Sequence, residues 1–385
     1  MIKEIKEKPM NELPLMETQE GIVLFYPNIP KNASQAVTEV LSTRWIGQGP
    51  KVDEFEKRFQ AKFTDPCTCI AVGSGTDALH LAYILAGLEE GDEVIAPVFT
   101  CTATNIPFLY MGVKIVFADV DENLNIDVNH VASLITPKTK AIVCVHYGGL
   151  PCDMSTLWAL GKEHHIAIIE DAAHAIGAKY QGQYIGSQSD FTIFSFQAIK
   201  HITTGDGGML VIKDRSLIEK AKRIRWFGID RSSKQKGIWE NDITEVGYKY
   251  QMNDIAASIG LAGLAEFDDH LAHRQKLYKL YCNLLENTPG IRIIGKNYTD
   301  REHAAWLLTA EVDDRERLIV HLRNHSIESA QVHYRNDRYS IFGGRVEGKF
   351  PKMDAIEERY IVLPLHAKVT EANVESIAEV LKKGW

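Results

Sequence analysis

The chain has 385 residues, enough for two domains or one large one. Its 45% hydrophobic and 24% charged residues are the make-up of a soluble globular protein with ample core material. A net charge of −8 with no lysine- or arginine-rich block argues against a nucleic-acid surface, while leaving room for single basic residues to bind a phosphorylated ligand. No stretch is apolar for long enough to span a membrane. The leader MIKEIKEKPMNELPLMETQEG mixes charges and lacks the apolar centre of a signal peptide. The six cysteines, at 67, 69, 101, 144, 152 and 282, follow no zinc or redox spacing, and several lie in apolar runs where a thiol acts as a small hydrophobe. A reducing cytoplasm and no bound metal are the expectation.

Behind the leader, AVTEVLSTRW reads as a short helix and PKVDEFEKRFQAKF as an amphipathic one. Seven β-rich runs then appear: CIAV (69–72), EVIAP (93–97), KIVFADV (114–120), AIVCVH (141–146), IAIIED (166–171), FTIFSF (191–196) and MLVI (209–212). Most are separated by helical stretches such as TDALHLAYILAGL and MSTLWALGKEHH. Near-continuous apolar strands alternating with helices predict an α/β fold whose mainly parallel sheet is covered on both faces. The short link between the last two strands suits an antiparallel edge strand. From about residue 255, DIAASIGLAGLAEFDDHLAHRQKLYKLYCNLLE carries helical periodicity for roughly thirty residues. IRII, AAWLLTAEV, a helix at DRERLIVHLRNHS and a last helix at EANVESIAEVLKK follow, with KNYTDREHA and RNDRYSIFGGRVEGK as loops. The expected division is a large domain over 20–254, then a linking helix and smaller α+β domain over 255–385.

Ligands of open parallel sheets collect at the carboxyl ends of the strands. After CIAV comes GSGTDAL, a turn whose free N–H groups and hydroxyl can cradle a phosphate at a helix start; a plain glycine turn with Thr76 or Asp77 as cap is the alternative. After IAIIE comes Asp171, with His174 three residues on. A carboxylate there must be paired, either as a helix cap or as partner to a protonated ring nitrogen. After FTIFSF comes Lys200, whose amine burial would free as a nucleophile, although a lone lysine is more often a solvated charge. The TTGDGG turn behind it lets backbone approach a ligand or simply closes a hairpin. An anion cradle, a buried acid and an amine in this order suit the three handles of pyridoxal phosphate.

The chain also resembles the DegT/DnrJ/EryC1/StrS family of pyridoxal-phosphate sugar aminotransferases, whose architecture is the fold type I of aspartate aminotransferase. The likeness runs from WIGQGPKVDEFEKRF through GSGTDAL, GDEVIAPVFT, ADVD, VHYGGLPCDM, EDAAHAIGA, SFQAIKHITTGDGG, GYKYQMNDIAA and HYR to VLPLH. It implies that Lys200 bonds the cofactor's aldehyde and later carries the migrating proton. Asp171 would pair with the pyridine nitrogen, and Gly75, Thr76 and Ser195 would form the phosphate cradle. His174 stands where the family usually has Gln, near the phenolic oxygen. Cys101 stands where the family commonly stacks an aromatic ring on the cofactor. Lys249, in GYKYQ for the usual GYNYR, would reach the phosphate of a partner subunit, and Gln251 replaces Arg. His333, Tyr334, Arg335 and Arg338 resemble the loop bordering the sugar site, with a surface basic loop as the alternative. Trp45, Gln48 and Lys51 lie in a turn near the acceptor side in relatives. Lys200, not the histidine of a dehydrating branch, implies amino transfer.

The resemblance therefore implies a homodimer with shared active sites that moves an amino group from L-glutamate to a keto sugar linked to a nucleotide, for amino-sugar and polysaccharide synthesis. An eight-carbon keto acid sugar as acceptor and a non-catalytic cofactor-binding regulator are the alternatives. A nicotinamide-dependent Rossmann enzyme fits less well, because GSGTDAL lacks the third glycine and no acid ends EVIAP.

Overall fold

A computed structural model describes residues 14–240 and 242–385; the first part of the polar leader, residues 1–13, lies outside the described residues. All seven expected strands form: β1 (Thr68–Val72), β2 (Glu93–Pro97), β3 (Lys114–Ala118), β4 (Thr139–Val145), β5 (Ala167–Asp171), β6 (Phe191–Ser195) and β7 (Gly208–Ile212). They make one sheet in the order β1-β7-β6-β5-β4-β2-β3. β2 to β6 run parallel, and β7 is antiparallel to both its neighbours. The period-2 alternation buries both faces. Cys69, Ala71, Phe194, Met209 and Val211 pack into one core, and Ile70, Val72, Ile193, Leu210 and Ile212 into the other.

The strand expected at the edge of the sheet lies elsewhere. β7 does run antiparallel, but it lies inside the sheet between β6 and β1, and β1 is the edge strand. The loop 196–207 folds β7 back beside β6. Its free side then pairs residue for residue with β1, from Thr68 with Ile212 to Val72 with Gly208.

The principal helices are α1 (Ala33–Leu41), α2 (Pro50–Phe59), α3 (Gly75–Leu85), α4 (Thr102–Tyr110), α5 (Met154–His164), α6 (Asp254–Ala265), α7 (Phe267–Leu284), α8 (Arg315–Asn324) and α9 (Glu371–Lys382). The single long helix expected after residue 254 is in fact two, broken at Glu266. α6 packs on α1 and α2, whereas α7 packs on α9, so the break lets one stretch serve two layers. The start of α2 is capped from a distance: the buried Asp254 carboxylate accepts the N–H groups of Gly49, Lys51 and Val52.

Three antiparallel strands, β8 (Ile291–Ile293), β9 (Leu308–Val312) and β10 (Tyr360–Leu363), form a second sheet in that order, with its own core against α7, α8 and α9. β9 is shorter than AAWLLTAEV; the amides of Ala304, Trp306 and Leu307 bond the carbonyls of Gly149 and Gly148 instead. The two sheets are stitched together beside the site. Tyr334–Arg335 pairs with Phe99–Thr100, and the buried Arg274 guanidinium donates to the carbonyls of Ala305, Trp306 and Leu365. No helix among the described residues is long and apolar enough to cross a membrane.

Candidate active site

At the carboxyl ends of β4, β5 and β6, beside the start of α3 and of the antiparallel β7, the chain encloses a cavity of about 470 Å³. Lys200, Asp171, Gly75, Thr76, Ser195, Cys101, His174 and His333 all line it. Eight of the residues singled out from sequence thus meet in one place, drawn from positions 258 residues apart at the extremes (333 minus 75).

Lys200 is 9% exposed. Its Nζ lies 3.7 Å from the centroid of the Trp306 ring, and Trp306 is fixed in turn by donating from Nε1 to the Ile199 carbonyl at 3.1 Å. Burial pushes the Lys200 ammonium from its ordinary 10.5 down to about 7, against the opposing pull of Cys101 and Asp171. The side chain is therefore a substantially neutral amine near pH 7, as a nucleophile must be. Two results follow. The rate of pyridoxal phosphate uptake by apo-protein, divided by the rate of N-α-acetyl-lysine per neutral amine at the same pH to remove the reagent's own titration, should rise with pH about a midpoint near 7 in stopped-flow absorbance. A midpoint near 10.5 would contradict the burial argument. Because the folded protein holds this proton less tightly than the unfolded chain, stability of the apo-protein should also rise with pH between about 7 and 10.5.

Asp171 ends β5 and is 4% exposed. No helix follows it, so the capping alternative falls. Its Oδ1 accepts the Ala173 N–H at 3.1 Å and its Oδ2 the Thr104 hydroxyl at 2.7 Å. Burial pushes the carboxyl up, while Thr104, the Ala173 N–H and the Lys200 charge hold it down.

The cradle forms where α3 starts. Ser74, not Thr76 or Asp77, is the cap, its Oγ accepting the Asp77 N–H at 3.0 Å. The N–H groups of Gly75 and Thr76 open the helix, where no intrahelical carbonyl reaches them and the helix dipole favours an anion. A side chain at Gly208 would lie 2.3 Å from the Ser74 carbonyl, so glycine is required there, and one at Gly75 would press on Ser195 Cβ at 3.1 Å, a tight fit that only a small shift of Ser195 would relieve.

Three rings close the opposite side. His174 stacks on Trp306 with centroids 3.7 Å apart, and His333 lies nearly parallel to His174 at 5.3 Å. Their Nε2 atoms are 3.4 Å apart. Burial keeps both imidazoles neutral: His174 is held well below its ordinary value, helped by the Lys200 charge, and His333 is pushed down to about 3. The backbone of His333 is pinned by the Tyr360 hydroxyl, which donates to its carbonyl at 2.5 Å, while the Tyr147 hydroxyl donates to that of Val332. His174 Nδ1 is buried without a partner among the described residues. Such an atom calls for a ligand group, and the phenolic oxygen of pyridoxal phosphate is of the right kind. The residues therefore fit that cofactor: an orphaned ring nitrogen, a buried carboxylate, an anion cradle and a depressed lysine share one cavity.

Other expected residues lie elsewhere. Arg335 is wholly buried, and its guanidinium is taken up by Asp337 at 2.7 Å, Glu357 at 3.1 Å and Asp354, so it holds its own loop in place and does not face the cavity. Arg338 is exposed and lies over the Tyr334 ring at 4.9 Å. Trp45 and Gln48 line a separate cleft with Trp226 and Arg231, while Lys51 pairs with Glu54 at 3.6 Å. Lys249 does not line the Lys200 cavity; with the Gln251 amide turned so that its oxygen faces Lys249 Nζ at 2.6 Å and Trp226 Nε1 at 3.0 Å, it bonds locally.

Sequence reasoning missed Trp306, Thr104 and Phe25, which serve or line the site. It also missed that Cys144, His146 and Cys152 come within 4.8 Å of one another beneath it. Every group in that cluster is already engaged. His146 Nε2 bonds Glu170 at 2.8 Å, its Nδ1 accepts the Cys152 N–H at 3.1 Å, and the Cys152 thiol donates to the Val145 carbonyl at 3.2 Å. The lone pair a metal would need is spent on a backbone amide.

The same assembly of fold and sequence recurs in known proteins. A sequence profile described as the DegT/DnrJ/EryC1/StrS aminotransferase family matches residues 27–382. The spore coat polysaccharide biosynthesis protein SpsC of Bacillus subtilis is 35% identical over 92% of this chain and 95% of its own length. GDP-perosamine synthase of Escherichia coli O157:H7 is 33% identical over 94% and 98%. Among solved structures, Spr1654 from Streptococcus pneumoniae in its PLP form superposes with a TM-score of 0.89 at 28% identity, covering 94% of this chain and 98% of that one.

Proposed function

The chain belongs to the DegT/DnrJ/EryC1/StrS aminotransferase family and is a pyridoxal-phosphate-dependent transaminase, and on that premise we propose that it transfers the amino group of L-glutamate to a nucleotide-linked 3-keto or 4-keto sugar. The observation that carries the reading is the pairing of a buried, depressed Lys200 with the buried Asp171 in one cavity. Bound pyridoxal phosphate supplies an aldehyde that takes the amino group and a ring that takes up the electrons of the broken bond. The rest is the work of this chain. Gly75, Thr76 and Ser195 bind the phosphate. Asp171 holds a proton on the ring nitrogen, and His174 orients the ring through Nδ1. Lys200 Nζ would hold the cofactor through its aldehyde and, as a free amine, would take up and deliver the migrating proton at Nζ. Trp306, His174 and His333 wall off water on one side.

The acceptor enters past the loop carrying His333 and Tyr334, with Arg338 as its exposed cation. That loop would meet the pyrophosphate of a nucleotide sugar. An eight-carbon keto acid sugar, with a carboxylate in place of the pyrophosphate, remains the second reading. Trp45, Gln48, Lys51 and Lys249 would serve the neighbouring site of a cytoplasmic homodimer. In support of this, the arm around Trp239, Ile243 and Val246 leaves these apolar side chains more than half exposed (75%, 54% and 77%).

The test is a panel of nucleotide-linked 3-keto and 4-keto sugars and an eight-carbon keto acid sugar, each with glutamate, scored by mass spectrometry for amino-sugar product. Amination of a nucleotide-linked sugar is expected. Amination of the keto acid alone would replace this acceptor by the other, and no product from any of them would overturn both.

A further inference from the structure

We infer that Thr104 is a positioning residue that aims the Asp171 carboxylate at the cofactor's ring nitrogen, at the end of a directed chain of two hydroxyls. The inference rests on the reading of Asp171 given above. Thr104 is wholly buried, and its Oγ1 lies 2.7 Å from Asp171 Oδ2 and 2.9 Å from Thr100 Oγ1. An ionised carboxylate can only accept, so the single Thr104 proton goes to Asp171. The Thr104 oxygen is then left to accept the Thr100 proton. The chain runs one way, Thr100 to Thr104 to Asp171, and donors chained in this sense polarise one another.

The main chain that carries Thr104 is held on both sides. Its N–H donates to the Cys101 carbonyl at 3.1 Å, and its carbonyl accepts the buried Tyr83 hydroxyl at 2.9 Å. Thr100 is held as firmly, because it pairs with Tyr334 and its carbonyl accepts from Asn336 Nδ2 at 2.7 Å. With Ala173 N–H on Oδ1 and Thr104 on Oδ2, each carboxylate oxygen has one fixed donor, which sets the plane of the group. The same hydroxyl opposes the burial that pushes the Asp171 carboxyl up. A neutral acid at this position could not keep the ring nitrogen protonated. The positioning chain also begins on the strand from which the His333 loop hangs, so the acid and the acceptor loop share one support.

Thr104→Val keeps the shape and removes the donor. In holo-protein loaded with ring-15N pyridoxal phosphate, the nitrogen resonance should move from the protonated towards the neutral position, and the cofactor dissociation constant should rise about tenfold. Thr104→Ser should restore both, and Thr100→Val should weaken cofactor binding by only about threefold. Circular dichroism and thermal midpoints of the apo-proteins separate these effects from loss of fold. A Thr104→Val protein with wild-type resonance and affinity overturns the inference. If that variant does not fold, Thr100→Val decides, and an unchanged resonance and affinity there overturns it as well. A wild-type protein that binds no pyridoxal phosphate, or holds its ring nitrogen neutral, would instead sink the role given to Asp171.

Discussion

Replacing Lys200 by alanine should lower kcat/KM for amino transfer by about four orders of magnitude, since both covalent capture and proton carriage lose their only amine. The protein should still fold and still bind pyridoxal phosphate, because the cradle, Asp171 and His174 remain. Borohydride should no longer fix the cofactor to a peptide spanning residue 200. Lys200→Arg separates chemistry from packing. The guanidinium can lie over the Trp306 ring, where Lys200 Nζ sits at 3.7 Å, but supplies no neutral amine at any working pH. It should be as inactive as the alanine variant. Addition of a small primary amine to Lys200→Ala should return part of the rate. An alanine variant within tenfold of wild type would mean that the proton is carried by another group.

Asp171→Asn should cost about a thousandfold in kcat. The substitution is nearly isosteric, and the amide oxygen can still accept from Thr104. What disappears is the charge that makes a protonated ring nitrogen stable in a buried site. Asp171 also supports the Lys200 ammonium, so its removal should shift the midpoint of cofactor uptake below the wild-type value near 7. Rate and titration should therefore move together in one variant. A loss below tenfold with an unmoved midpoint would show that the carboxylate faces neither group.

Much of this site was legible because strand ends are local. Asp171, Ser195 and Lys200 each follow an apolar run that could only be a buried strand, and parallel sheets bring such ends together whatever the intervening helices do. The same logic located all seven strands. What it could not supply was neighbour choice. MLVI reads equally well at an edge or inside the sheet, and only the β1 partner decides. Trp306 was hidden for a different reason. AAWLLTAEV looks like one continuous strand, whereas Gly148 and Gly149 draw its first half out of the sheet and set the indole under Lys200. Arg335 looked like a ligand for an anion because its three carboxylate partners stand two, nineteen and twenty-two residues further on, a convergence that only tertiary structure produces. Thr104 gave the weakest signal of all, being one threonine among several in FTCTATN.

The inset position of β7 has a consequence for how the protein is made. β1 is the first sheet strand to leave the ribosome, yet its only partner in the sheet is the last, with Val72 waiting for Gly208. Until that late pairing closes, the Ser74–Thr76 turn lacks one of its supports, because the side-chain-free backbone of Gly208 seats against Ser74. Pairing across such a separation is slow and leaves an apolar strand unprotected meanwhile. Closure of β1 on β7 thus completes the anion seat, and acquisition of yellow colour during refolding would report that closure.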